Sequence, residues 1–124
     1  MDQQSVELYK TFIDDLVRLR PCVDTSRING DGWPKNGDPE NEKFNKILSE
    51  LTPEQKEVFA IITQSARDGG IHDVLVYLGD EINLEGLQIV KNGVKMAKEP
   101  LGSDMHFDWV CRSEGDPWPN DNNE

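Results

Sequence analysis

Cysteine and histidine are scarce here, with two of each in 124 residues. Cys22 and Cys111 stand too far apart to form a metal-type pair, and both are expected as reduced thiols. Basic side chains are also few, 13 against 24 acidic ones, for a formal net charge of -11. That balance argues against direct contact with nucleic acid or an anionic membrane surface, since like charge repels both. No apolar run approaches the roughly 20 residues a spanning helix needs. Residues 1–20 carry charges throughout and no apolar leader core, so a soluble, cytoplasmic protein is expected. No nucleophile elbow or glycine-rich phosphate loop is present. Gly69-Gly70 alone reads as a turn, so no cofactor is expected.

What remains is the material of one domain, expected over residues 1–115 with a polar tail at 116–124. Tyr9, Phe12, Ile13, Leu16 and Val17 recur on one helical face, and predict a helix over 6–20, capped by Ser5 and ended by Pro21. Residues 21–39 are rich in Gly, Pro, Asn and Asp and read as a long loop. A short helix is expected over 40–51. A third begins at Thr52-Pro53 with Gln55 placed for a capping box, and Gly69-Gly70 is expected to end it. Ile71, Val74, Leu75, Leu78 and Ile82 predict a fourth helix over 71–84. Asn92-Gly93 predicts a hairpin over 87–97, because a type I′ turn needs positive φ at both central positions. Residues 104–114 fit either a helix capped by Ser103 and Gly115, or a third strand. The expected class is α+β, mainly helical, with about four packed helices and one C-terminal hairpin.

One phrase occurs twice: Gly30-Asp31-Gly32-Trp33-Pro34 and Gly115-Asp116-Pro117-Trp118-Pro119, each with an arginine three residues before it, Arg27 and Arg112. Glycine and proline shape a turn, and tryptophan is a large amphipathic anchor upon it. Trp33, Trp118, Arg27 and Arg112 are therefore candidate binding residues, since Trp and Arg dominate many interfaces. The competing role is a pair of plugs covering core. The arginines could pair with Asp31 and Asp116 or stack on the indoles.

Asp104, His106 and Asp108 would share one side of an extended chain, with His72 as a possible fourth ligand, which suits zinc, manganese or iron. A helix would scatter them. The adjacent carboxylate pairs Asp14-Asp15 and Asp80-Glu81 follow from composition and imply no acid–base role. Lys91, Lys95 and Lys98 oppose Asp73, Asp80, Glu81 and Glu85. That asymmetry suits a homodimer, or simply lysines guarding a ribbon edge.

The stretch from Gly69-Gly70-Ile71-His72-Asp73-Val74-Leu75, through Glu85-Gly86-Leu87 and Phe107-Asp108-Trp109-Val110-Cys111-Arg112, to the second phrase resembles a family of short acidic bacterial proteins of unknown function. The resemblance implies a bacterial or phage source and no activity. The residues themselves point to a non-catalytic binding, accessory or inhibitor protein that meets another protein, one of cationic character. The alternatives are a metal-dependent enzyme using the Asp/His cluster and a nucleic-acid mimic.

Overall fold

The structure is a computed structural model and describes residues 2–119. It is a mainly helical α+β chain in the order α1 (Gln3–Arg18), α2 (Val23–Asn29), α3 (Pro39–Ser49), α4 (Pro53–Leu84), β1 (Val90–Lys91), β2 (Val94–Lys95) and α5 (Met105–Ser113). It divides into two compact units, Met1–Leu19 with Gly70–Glu124, and Arg20–Gly69. We call them the core unit and the insert unit.

The core unit holds the main apolar cluster. Tyr9 and Ile13 of α1, Leu75 and Ile82 of α4, Met96, Met105 and Trp109 of α5, and Trp118 are all buried in it. The 3.6-residue period of α1 produces the stripe that feeds this cluster. Asp2, not Ser5, caps α1, accepting from the Gln4 backbone N–H at 3.1 Å, so the helix starts earlier than its apolar period suggests. The hairpin forms at Asn92-Gly93, with φ of +52° and +79°. Val90 pairs with Lys95 and Lys91 with Val94, and the Met96 N–H donates to the Ile89 carbonyl at 2.8 Å. The ribbon is shorter than 87–97. The sheet has two strands, and residues 105–113 are helical, which settles the ambiguous segment. The cap of α5 is Asp104 in place of Ser103. The expected tail is described only as far as Pro119, and the remainder lies outside the described residues.

The insert unit is thinner. Only Ile28 and Ala60 among its apolar residues are buried. A polar clasp adds to them. Asp68 receives Arg20 through Nε at 3.0 Å and Nη2 at 2.9 Å. Gln64 donates to the Arg20 carbonyl at 2.8 Å and accepts from the Cys22 backbone N–H at 3.3 Å. The segment read as a long loop contains α2. Val23–Asn29 is free of Gly and Pro, which begin only at Gly30, so a two-turn helix fits between Pro21 and the turn. In α3, Asp38 caps through its carboxylate to the Glu40 N–H at 2.8 Å. The capping box at the start of α4 forms in both directions, Gln55 N–H to Thr52 Oγ1 at 3.1 Å and Thr52 N–H to Gln55 Oε1 at 2.9 Å.

The expected third and fourth helices are one. α4 runs 32 residues through Gly69-Gly70 without a break. Both glycines hold helical backbone, and flanking turns with strong apolar periods override two weak positions. Glycine in a helix interior costs about 1 kcal/mol relative to alanine. A Cβ at either site would meet nothing within 4 Å. Gly69→Ala and Gly70→Ala are therefore each expected to raise stability by about 0.5–1 kcal/mol. Urea titration followed by circular dichroism checks this, and a loss of stability would contradict a continuous helix.

Candidate functional site

The repeated phrase has a common structural basis. Each copy follows a helix: α2 ends at Asn29 and α5 at Ser113. Each arginine sits in the last helical turn, where its charge suits the carbonyl end of the helix dipole. The chain then turns back over that arginine. Arg27 Cζ lies 5.7 Å from the Trp33 ring and Arg112 Cζ 4.8 Å from the Trp118 ring. The phrase is thus a helix exit closed by an arginine–indole stack. Arg27 pairs with Asp24 at 3.4 Å and Arg112 with Asp14.

The two copies then diverge. In the core unit, Trp118 is buried, with 6 % of its surface exposed. Its indole N–H donates to Asp14 Oδ2 at 3.1 Å, and its ring lies 6.3 Å from Tyr9. Arg112 grips the same carboxylate through Nε at 2.8 Å and Nη2 at 3.0 Å, and reaches the Asp116 carbonyl at 2.9 Å. Asp14, which sequence reasoning set aside, is the hub of this arrangement.

In the insert unit, Trp33 is half-buried and lies on the turn that follows α2. Asn45 of α3 holds its backbone from both sides, accepting from the Trp33 N–H at 2.8 Å and donating to the Trp33 carbonyl at 3.0 Å. Phe44 packs against the ring at 5.1 Å. Gly32 makes this possible: its φ is +84°, and a Cβ there would come within 2.3 Å of Asn45 Oδ1. Arg27, Asp31, Trp33, Pro34 and Lys35 line an open depression around the indole. A second depression beside it is lined by Ile28, Asn45, Leu48 and Lys56, among others. The site is an aromatic platform of fixed backbone with charges of both signs at its rim.

The expected metal cluster is partly assembled. His72 of α4 and His106 of α5 meet edge to face with ring centroids 5.0 Å apart. Asp73 lies 3.7 Å from His72, and Asp104 4.0 Å from His106. The helical backbone of α5 turns Asp108 away from them into the core. There it accepts hydrogen bonds from the Tyr9 hydroxyl and, at 2.6 Å, from Ser103 Oγ. Burial, then the bond to Asp108, pushes the Tyr9 phenol well above its ordinary value. Among the described residues, no group of three or more His, Cys, Asp or Glu side chains is placed to hold a metal ion. Both cysteines are free thiols. The Thr25 backbone bond draws Cys22 below its ordinary range, whereas burial and the nearby Asp116 raise Cys111.

Two carboxylates contribute to the acid side of the pH dependence. Hydrogen bonding from Arg20 holds Asp68 below its usual range. At Asp14, burial opposes ionisation, but the bonds from Arg112 and Trp118 outweigh it and the carboxyl is again lowered. A carboxyl lowered by folding stabilises the fold above its unfolded value, near 3.9, and that contribution fades as pH falls through the folded value. Stability is therefore expected to drop on acidification below about pH 4. Melting curves from about pH 6 to 3 test this, with Asp14→Asn and Asp68→Asn each flattening the drop. An acid profile unchanged from wild type in both variants would contradict it.

No helix among the described residues is long and apolar enough to cross a membrane. No curated protein and no solved structure matches the chain. The profile of DUF6547, a family of unknown function, matches residues 2–120, and the chain belongs to that family.

Proposed function

We propose that the protein is a non-catalytic binding or accessory factor that meets another protein through the Trp33 turn. The observation that carries this reading is the divergence of the two copies. The same arginine–indole stack serves the core at Trp118, while at Trp33 it leaves a half-buried aromatic on a locked backbone. Rigid, partly presented Trp residues flanked by Arg are what interface hot spots are made of, since little entropy remains to be lost on binding. Arg27 and Trp33 belong to the contact. Arg112 and Trp118 support the fold.

Charge suits a cationic partner. Residues 20–69 hold nine acidic and seven basic side chains, and the rest of the chain fifteen and six. A field of that sign speeds the approach of positive partners and is weakened by salt. Two free thiols accord with a reducing, cytoplasmic setting. The test is capture of interacting proteins by the immobilised chain, compared with Trp33→Ala. The variant is expected to lose the partner, and capture that is undiminished would remove the platform from the account.

The metal-enzyme alternative has one support, the meeting of His72 and His106. Zinc or manganese raising the melting temperature, with the effect lost in His72→Ala, would favour it over the binding reading. No shift with either ion would count against it.

A further inference from the structure

The first half of α4 turns an uncharged face to solvent. Gln55, Val58, Ile62, Ser65 and Gly69 follow the three–four spacing of a packed helical seam, with Phe59 and Ala66 along one flank and Ile61 along the other. Val58, Ile61 and Ile62 are 52 %, 62 % and 58 % exposed. The opposite side of the same helix already carries Ala60, Gln64 and Asp68, which serve the insert unit. A soluble helix normally turns its polar side to water, whereas here the side with Gln64 and Asp68 is engaged within the insert unit and the apolar side is the one left to solvent.

We propose that this face is covered by α4 of a second copy, packed antiparallel about a two-fold axis at Ile62. The order of side-chain sizes is the reason. Large residues, Val58 and Phe59, stand on one side of Ile62, and small ones, Ser65, Ala66 and Gly69, on the other. An antiparallel two-fold sets Val58 against Ala66, Phe59 against Ser65 and Gln55 against Gly69. Each bulky group then meets a gap and helices can approach closely. A parallel pair would set large against large and leave voids beside the small residues. Charge agrees. The insert unit is short of neutrality by two charges, whereas the other residues carry the remaining nine. Self-association through this unit therefore meets the least repulsion the chain offers.

The seam from 55 to 69 is about 21 Å long at 1.5 Å per residue. One helix face of that length offers less than the usual contact of about 800 Å² per partner, so a dissociation constant in the micromolar range is expected. Sedimentation equilibrium from about 1 to 200 µM, a span set to bracket that range, should show a monomer–dimer equilibrium. Ile62→Glu, on an exposed position, should shift it at least tenfold toward monomer with unchanged circular dichroism. Ala66→Arg is an independent second variant and should do the same. In a Cys22→Ser/Cys111→Ser background, Ile62→Cys should crosslink to its own copy under mild oxidation, whereas Val58→Cys should crosslink only to Ala66→Cys. A wild-type chain that stays monomeric throughout, a dimer indifferent to both charge variants, or self-crosslinking of Val58→Cys in preference to Ile62→Cys overturns the proposal.

Discussion

Trp118→Ala is expected to lower stability by about 3–5 kcal/mol, the range for truncating a buried Trp. The indole is 6 % exposed and touches three kinds of partner: the Tyr9 ring, the Arg112 guanidinium and the Asp14 carboxylate. Removing it opens a cavity, strips one donor from Asp14, and leaves Arg112 without its stacking surface. Trp33→Ala, at a half-buried position, is expected to cost on the order of 1 kcal/mol. The backbone of its turn is held by Asn45 and not by the ring. Urea titrations of the two variants separate these outcomes. Equal losses would contradict the assignment of one copy to scaffold and the other to surface.

Asp108→Ala should be nearly as damaging, for a different reason. The carboxylate accepts from Tyr9 and Ser103 inside the core. Its removal orphans both hydroxyls, and a buried unsatisfied polar group costs about 1–3 kcal/mol. A loss of about 3 kcal/mol is expected. Tyr9→Phe removes one donor and orphans nothing on its own side, so about 1–2 kcal/mol is expected. The double variant should then cost less than the sum of the two, since phenylalanine leaves no hydroxyl to satisfy. Strict additivity would mean that the bond is energetically idle. Tyr9 also sets the alkaline limit. Its phenol is raised in the folded protein, so its contribution holds below the unfolded value, near 10, and is lost as pH climbs beyond it.

The parts legible in the sequence were those with local causes. Asn92-Gly93 dictates its own turn, and Thr52 with Gln55 dictates its own cap. The apolar period of α1 located a core stripe at Tyr9 and Ile13, and that of residues 71–84 located Leu75 and Ile82, whereas Val74 and the apolar residues of the first half of α4 at Val58, Ile61 and Ile62 face solvent. The rest depends on partners distant in sequence. Gly69-Gly70 reads as a stop until the flanking turns are seen to continue as one helix. The helix α2 is masked by the glycines and prolines that follow it. Asp14 looks like surface charge until Arg112 and Trp118 are brought to it. Asp108 was singled out as a ligand beside His106, but helical geometry places residues two apart on different faces, and the core claims it. The doubled phrase was visible, and so was the possibility of stacking. That the two copies would serve different ends was not, because burial depends on what the rest of the chain supplies.

The central claim is that Trp33 is kept for a partner. The direct test is a calorimetric titration of a captured partner into wild type and into Trp33→Ala, each shown to be folded. The account predicts a loss of at least about 2 kcal/mol in binding, roughly thirtyfold in affinity. Equal affinities for the two proteins would contradict it.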